Sequence, residues 1–175
     1  EAGFRAGIEN VAAIVGAGVA AECAGRDWQS RSDHVAKLTA ELWAQLQQRV
    51  PRIHLNGPVP GDRRLPQHLC VSAEATEGEG LMLMCDAQGV SIASGTACLL
   101  KNLRASPVLD AMKVSADLAR AAVLISPGMD TKPKEIEAFV ELFARMVGRL
   151  RSMSPAWDKH QRSEVGSPLT GRRSE

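Results

Sequence analysis

Two stretches of the sequence combine residue types and spacing that could do chemistry. The first is Ser94-Gly95-Thr96-Ala97-Cys98, a run of small residues ending in a thiol. A cysteine that carries sulfur between two partners must be accessible, ionise readily and sit on backbone that can move. The thiolate is the nucleophile, and Gly95 with its small neighbours supplies a flexible loop. Lys101 and Arg104 follow closely, and their charges would favour the thiolate if the loop brings them near. Read alone, the pentapeptide is better described as a small buried thiol at a strand end. The second stretch is Gly16-Ala17-Gly18-Val19-Ala20-Ala21, close to the GxGxxA turn of a dinucleotide fold. That turn needs a second strand soon afterwards, ending in an acidic residue for the ribose. Here the chain reads as helix through Leu46, with no strand before Arg52, so glycines that allow close helix packing are the simpler account.

The other cysteines, Cys23, Cys70 and Cys85, form no CxxC pair and read as core or surface thiols. His34, His54, His68 and His160 complete no zinc-finger spacing, and no metal site is expected. The 175 residues suffice for one compact core plus a tail. With 45% hydrophobic and 23% charged residues, the composition is that of an ordinary globular protein in a reducing cytoplasm, with free thiols. A net charge of +1 gives no reason to expect nucleic acid or an anionic membrane as partner. No apolar run approaches the roughly 18 residues of a spanning helix. The chain opens at Glu1 rather than Met, which reads as a boundary within a longer protein.

These stretches must be positioned by helices and strands. Ile8 to Glu22 is rich in Ala and Val and suits a buried helix, or a strand followed by a helix. Val35, Leu38, Leu42, Trp43, Leu46 and Val50 recur at three- and four-residue steps, predicting an amphipathic helix capped by Ser30 or Ser32 and ended by Pro51. Strands are expected at 52–56, 68–73, 90–93 and 118–126, with a Pro- and Gly-rich loop at 57–65. Helices are expected at 79–88, closed by Gly89, and at 106–112, with Pro107 in the first turn. A last helix follows Thr131 as N-cap, with Ile136, Phe139, Val140, Phe143, Met146, Val147 and Leu150 as its apolar stripe. Arg145, Arg149 and Arg151 crowd its C-terminal end. After Trp157 the chain turns polar and reads as a disordered tail. Helices alternating with short strands indicate an α/β fold (an α+β sandwich) with helices on one face of the sheet.

In order along the chain stand Arg5-Ala6-Gly7 with Asn10, then RIHLNG, LPQHLCVS, EGEGL, SIASGTAC, SPVLDAM, DLARAAVLIS and VGRLRSMSPAW. Over residues 1 to 160 this series resembles the NifS/IscS-type cysteine desulfurases of the class V aminotransferase family. The stretches FRAGIEN, RIHLN and RLP also resemble the related selenocysteine lyases. The resemblance implies the small C-terminal domain of a fold-type-I transferase at residues 27–157, the end of the large domain at 1–26, and the tail at 158–175. It implies pyridoxal 5'-phosphate as cofactor and L-cysteine as substrate. Sulfur would pass to Cys98 as a persulfide, leaving alanine, and then to a sulfur-acceptor or iron-sulfur scaffold protein. Ser94, Gly95, Thr96 and Ala97 would form its flexible loop, and the enzyme would be a homodimer.

The same resemblance marks departures. No segment matches the family's cofactor lysine, its neighbouring histidine or the aspartate that pairs with the pyridine nitrogen. Lys37, Lys101, Lys113, Lys132, Lys134 and Lys159 all lie in other contexts, so the chain alone is not expected to hold the cofactor covalently. Arg5, Gly7 and Ile8 fall on the cofactor side, with Ile8 where the family has a threonine that reaches the cofactor phosphate across the dimer. Asn10 and Leu124 fall on the substrate side. Leu124 stands where an arginine clamps the substrate carboxylate, and an apolar side chain cannot form that charge-assisted pair. Arg120, expected on the same strand face, would lie about 13 Å away. These losses leave open a selenocysteine lyase, or a diverged interaction and dimerisation domain without catalysis.

Overall fold

The computed structural model describes residue 3 and residues 6–94, 106–155 and 157. The elements in chain order are α1 (Val11–Arg49), β1 (Ile53–Leu55), β2 (Leu69–Ala73), α2 (Gly78–Asp86), β3 (Ala93–Ser94), α3 (Pro107–Ala111), α4 (Ala116–Arg120), β4 (Ala122–Ile125) and α5 (Pro133–Ser152).

α1 is one continuous helix of 39 residues, about 58 Å long. A fresh start capped by Ser30 or Ser32 was expected, and the structure has none. The Ser30 hydroxyl donates back to the Asp27 carbonyl at 3.0 Å, inside the helix. Arg31 pairs with Asp27 and Gln29 with Asp33 one turn apart, so the polar middle supports the helix instead of ending it. The true N-cap is Asn10, whose side-chain oxygen accepts from the Ala13 amide at 3.1 Å. The helix therefore runs unbroken through residue 26, where the large and small domains were expected to meet.

All four strands pair antiparallel, in the order β1-β2-β4-β3. Alternation divides the side chains between two faces. Leu69, Val71, Ala73, Val123 and Ile125 point to the main core. There they meet Leu38, Leu42 and Leu46 of α1, Leu81 and Cys85 of α2, and Phe139, Val140, Phe143 and Val147 of α5. Helices also reach the other face, contrary to a sheet covered on one side alone. Leu109 of α3 and Ala119 of α4 close a second small cluster over Ala122 and Cys70.

Two expected strands are shorter than alternation suggested. Ser115 accepts from the Leu118 amide at 3.4 Å and caps α4, so residues 116–120 are helical and the strand starts only at Ala122. The Val90 amide bonds back to the Cys85 carbonyl at 3.0 Å in the closure of α2, and β3 is only two residues long, Ala93–Ser94. Gly89 there takes φ +76°, as a helix-closing glycine does. Ahead of α5, Lys132 rather than Thr131 is the N-cap. Thr131 Oγ1 accepts from the Gly128 amide, while the Glu135 carboxylate takes the Lys132 amide at 2.8 Å.

Candidate functional site

While Ser94 shares the main-core face with Val123, the second face of the sheet carries Leu124, singled out by the sequence. Leu124 stands at its centre, paired in register with Cys70 of β2 on one side and Ala93 of β3 on the other. Ser94 comes next, opposite Val123, and its hydroxyl is buried with no hydrogen-bond partner among the described residues. Gly95, Thr96, Ala97 and Cys98 lie outside the described residues, as do Lys101 and Arg104. Their anchors are defined. The segment leaves the sheet at Ser94, at the end where β2 finishes and β4 begins, and rejoins the structure at Ser106, the N-cap of α3.

Beside Cys70 lies a polar cluster organised by Asn56 and Arg64. Asn56 is buried and donates through Nδ2 to Ser72 Oγ at 2.8 Å and to Cys70 Sγ at 3.5 Å. Arg64 donates to the carbonyls of Asn56 at 2.6 Å and His68 at 3.0 Å, and to that of Pro58. Gly57 makes room for this guanidinium: it has φ +93°, and a Cβ there would sit 2.9 Å from Arg64 Nη2. Burial lowers the pKa of Arg64 from the ordinary arginine value, opposed by Cys70. Burial also raises that of Cys70, with the Asn56 hydrogen bond and the Arg64 charge pulling the other way. Cys85, wholly inside the core, is raised by burial as well. Burial thus disfavours the thiolate at both, the opposite of what a sulfur nucleophile needs.

Arg120 was expected on the strand carrying Leu124. It sits instead in the last turn of α4 and pairs with Asp117 three residues before it. With Arg64 committed to carbonyls and Arg120 to a carboxylate, neither supplies a carboxylate clamp at Leu124.

The described residues of the cofactor side, Gly7 and Ile8, and Asn10 of the substrate side stand at or just before the start of α1. Ile8 is 91% exposed, Gly7 takes φ +99°, Arg5 is outside the described residues, and Asn10 caps α1. All the described lysines, Lys37, Lys113, Lys132 and Lys134, are exposed. None has the enclosed setting a covalently held pyridoxal phosphate requires, so the described residues do not by themselves fit that group. Among them no cluster of three or more His, Cys, Asp or Glu could hold a metal, and no helix is long and apolar enough to cross a membrane.

Sequence reasoning passed over Arg64 and misread Arg151. Arg151 does more than complement the dipole of α5. It is 4% exposed, donates to the carbonyls of Glu74 at 3.0 Å and Pro51 at 2.8 Å, and stacks under Trp157. The spacing in LRSMSPAW, with a tryptophan six residues after an arginine, was the available signal.

Comparison with known proteins places these features. The family model for class-V aminotransferases matches residues 1–139. The chain is 31% identical over 164 residues to cysteine desulfurase IscS of Clostridium botulinum strain Hall, covering 94% of this chain and 41% of that protein. It is 37% identical over 158 residues to the IscS of Anaeromyxobacter dehalogenans, covering 90% of this chain and 38% of that protein. Among solved structures, a NifS-like protein superposes with TM-score 0.69 at 26% identity, over 83% of this chain and 36% of that one. A NifS-like protein from Rickettsia africae gives TM-score 0.68 at 26% identity, over 81% of this chain and 36% of the other. The chain thus spans about two fifths of the length of the curated relatives it matches.

Proposed function

The chain belongs to the class-V aminotransferase family, and from that membership we propose that it is the C-terminal part of a pyridoxal-phosphate-dependent cysteine desulfurase. Cys98 takes the sulfur of L-cysteine as a persulfide, alanine is released, and the sulfur goes on to an acceptor or iron-sulfur scaffold protein in the cytoplasm. The cofactor and its lysine belong to polypeptide outside this chain, and the working enzyme is a homodimer. The small domain begins within α1. Its N-terminal half, whose Val11, Ile14, Val15 and Val19 are exposed here, belongs to the large domain. The observation that carries the reading is the match, over nine tenths of the chain, to relatives named cysteine desulfurases. Within it SGTAC starts at the last residue of β3. The burial of Cys70 and Cys85, which disfavours their thiolates, is consistent with Cys98 as the reactive thiol.

The test is the intact mass of the protein after incubation with a low-molecular-weight persulfide donor, wild type against Cys98→Ser. The expected result is a gain of one sulfur atom in the wild type and none in the variant. Equal gain in both, or none in either, overturns the assignment of Cys98.

The apolar environment of Leu124 favours a second reading. Between Cys70 and Ala93, without a free arginine from Arg64 or Arg120, the position does not suit a substrate carboxylate. That supports a diverged domain kept for interaction or dimerisation, for which Cys98→Ser changes nothing. A selenocysteine lyase keeps the sulfur-side residues and is separated from a desulfurase by assaying the complete enzyme with each amino acid.

A further inference from the structure

We draw no further inference here: the strongest candidate, the 640 Å³ groove between the β2–α2 turn, α4 and the end of α5, has Leu118, Leu150 and Met153 along it and Glu77 at its rim, but nothing in the structure shows what covers it.

Discussion

At Arg151 a buried guanidinium donates to carbonyls of the β1 and β2 turns and lies 4.2 Å from the centre of the Trp157 ring. Arg151→Met keeps the stem but removes a buried guanidinium and its bonds to the Glu74 and Pro51 carbonyls, which should cost about 2 kcal/mol. Trp157→Ala removes only the stacking partner and should cost about 1 kcal/mol. Urea denaturation of the two single variants and the double variant checks both figures, and a double-variant loss smaller than the sum measures the contact. The thiols give a second residue-scale expectation. Burial raises the pKa of Cys70 and Cys85 in the fold, so the folded state keeps these protons to higher pH than the unfolded chain does. The stability they contribute is complete below the ordinary thiol pKa and is lost as pH rises through the folded values. Denaturation midpoints should accordingly fall above about pH 9. In a Cys98→Ser background, the alkylation rate of Cys70 should still be climbing at that pH. A plateau by pH 8 would show that Arg64 and Asn56 outweigh burial at this thiol.

At the scale of elements, α2 is held against β4 through the absence of a side chain. A Cβ on Gly78 would lie 2.4 Å from the Ala122 carbonyl oxygen, and backbone rather than a flexible side chain is what it meets. Gly78→Ala should cost at least about 2 kcal/mol, because helix or strand must shift. The glycines of α1 behave oppositely. At Gly16 and Gly18 a Cβ would meet nothing within 4 Å, so alanine there relieves about 1 kcal/mol of helix propensity at each site. Far-UV circular dichroism should show added helix in Gly16→Ala/Gly18→Ala with an unchanged urea midpoint, since the main core begins further along α1. Arg64 and Arg120 belong to this scale too. Arg64 ties together the 56–68 loop, and Arg120 pairs with Asp117 inside α4, each through local partners.

For the whole molecule, the two halves of α1 differ in kind. From Val35 onward its apolar residues are buried against β2 and α5, while Val11 through Ala21 carries no charged side chain and is exposed all round. A helix apolar on every side is one that other chain must surround. Amide exchange should therefore be on the order of a hundredfold less protected at residues 12–24 than at Leu42 and Leu46 in the isolated chain. Equal protection would mean that this chain, or a second copy of it, already covers the first half. Much of this was legible beforehand. The stripes of α5 and of the second half of α1, the Pro107 start of α3, the Gly89 stop of α2 and strands β1 and β2 all followed from local periodicity and capping chemistry. The resemblance carried by SGTAC and its neighbouring motifs was legible as well, from the motifs themselves and their order along the chain. Local pattern could not separate the end of α4 from the start of β4, because the Ser115 cap and the run of small apolar residues suit helix and strand alike. Nor could it show that Cys70, Leu124 and Ala93 stand side by side, or that Arg151 spends its donors on distant carbonyls. Those facts come from strand register and from pairings up to 100 residues apart. Tertiary structure decided them because a buried donor or acceptor takes whatever partner the packed chain brings near, and no local rule specifies which.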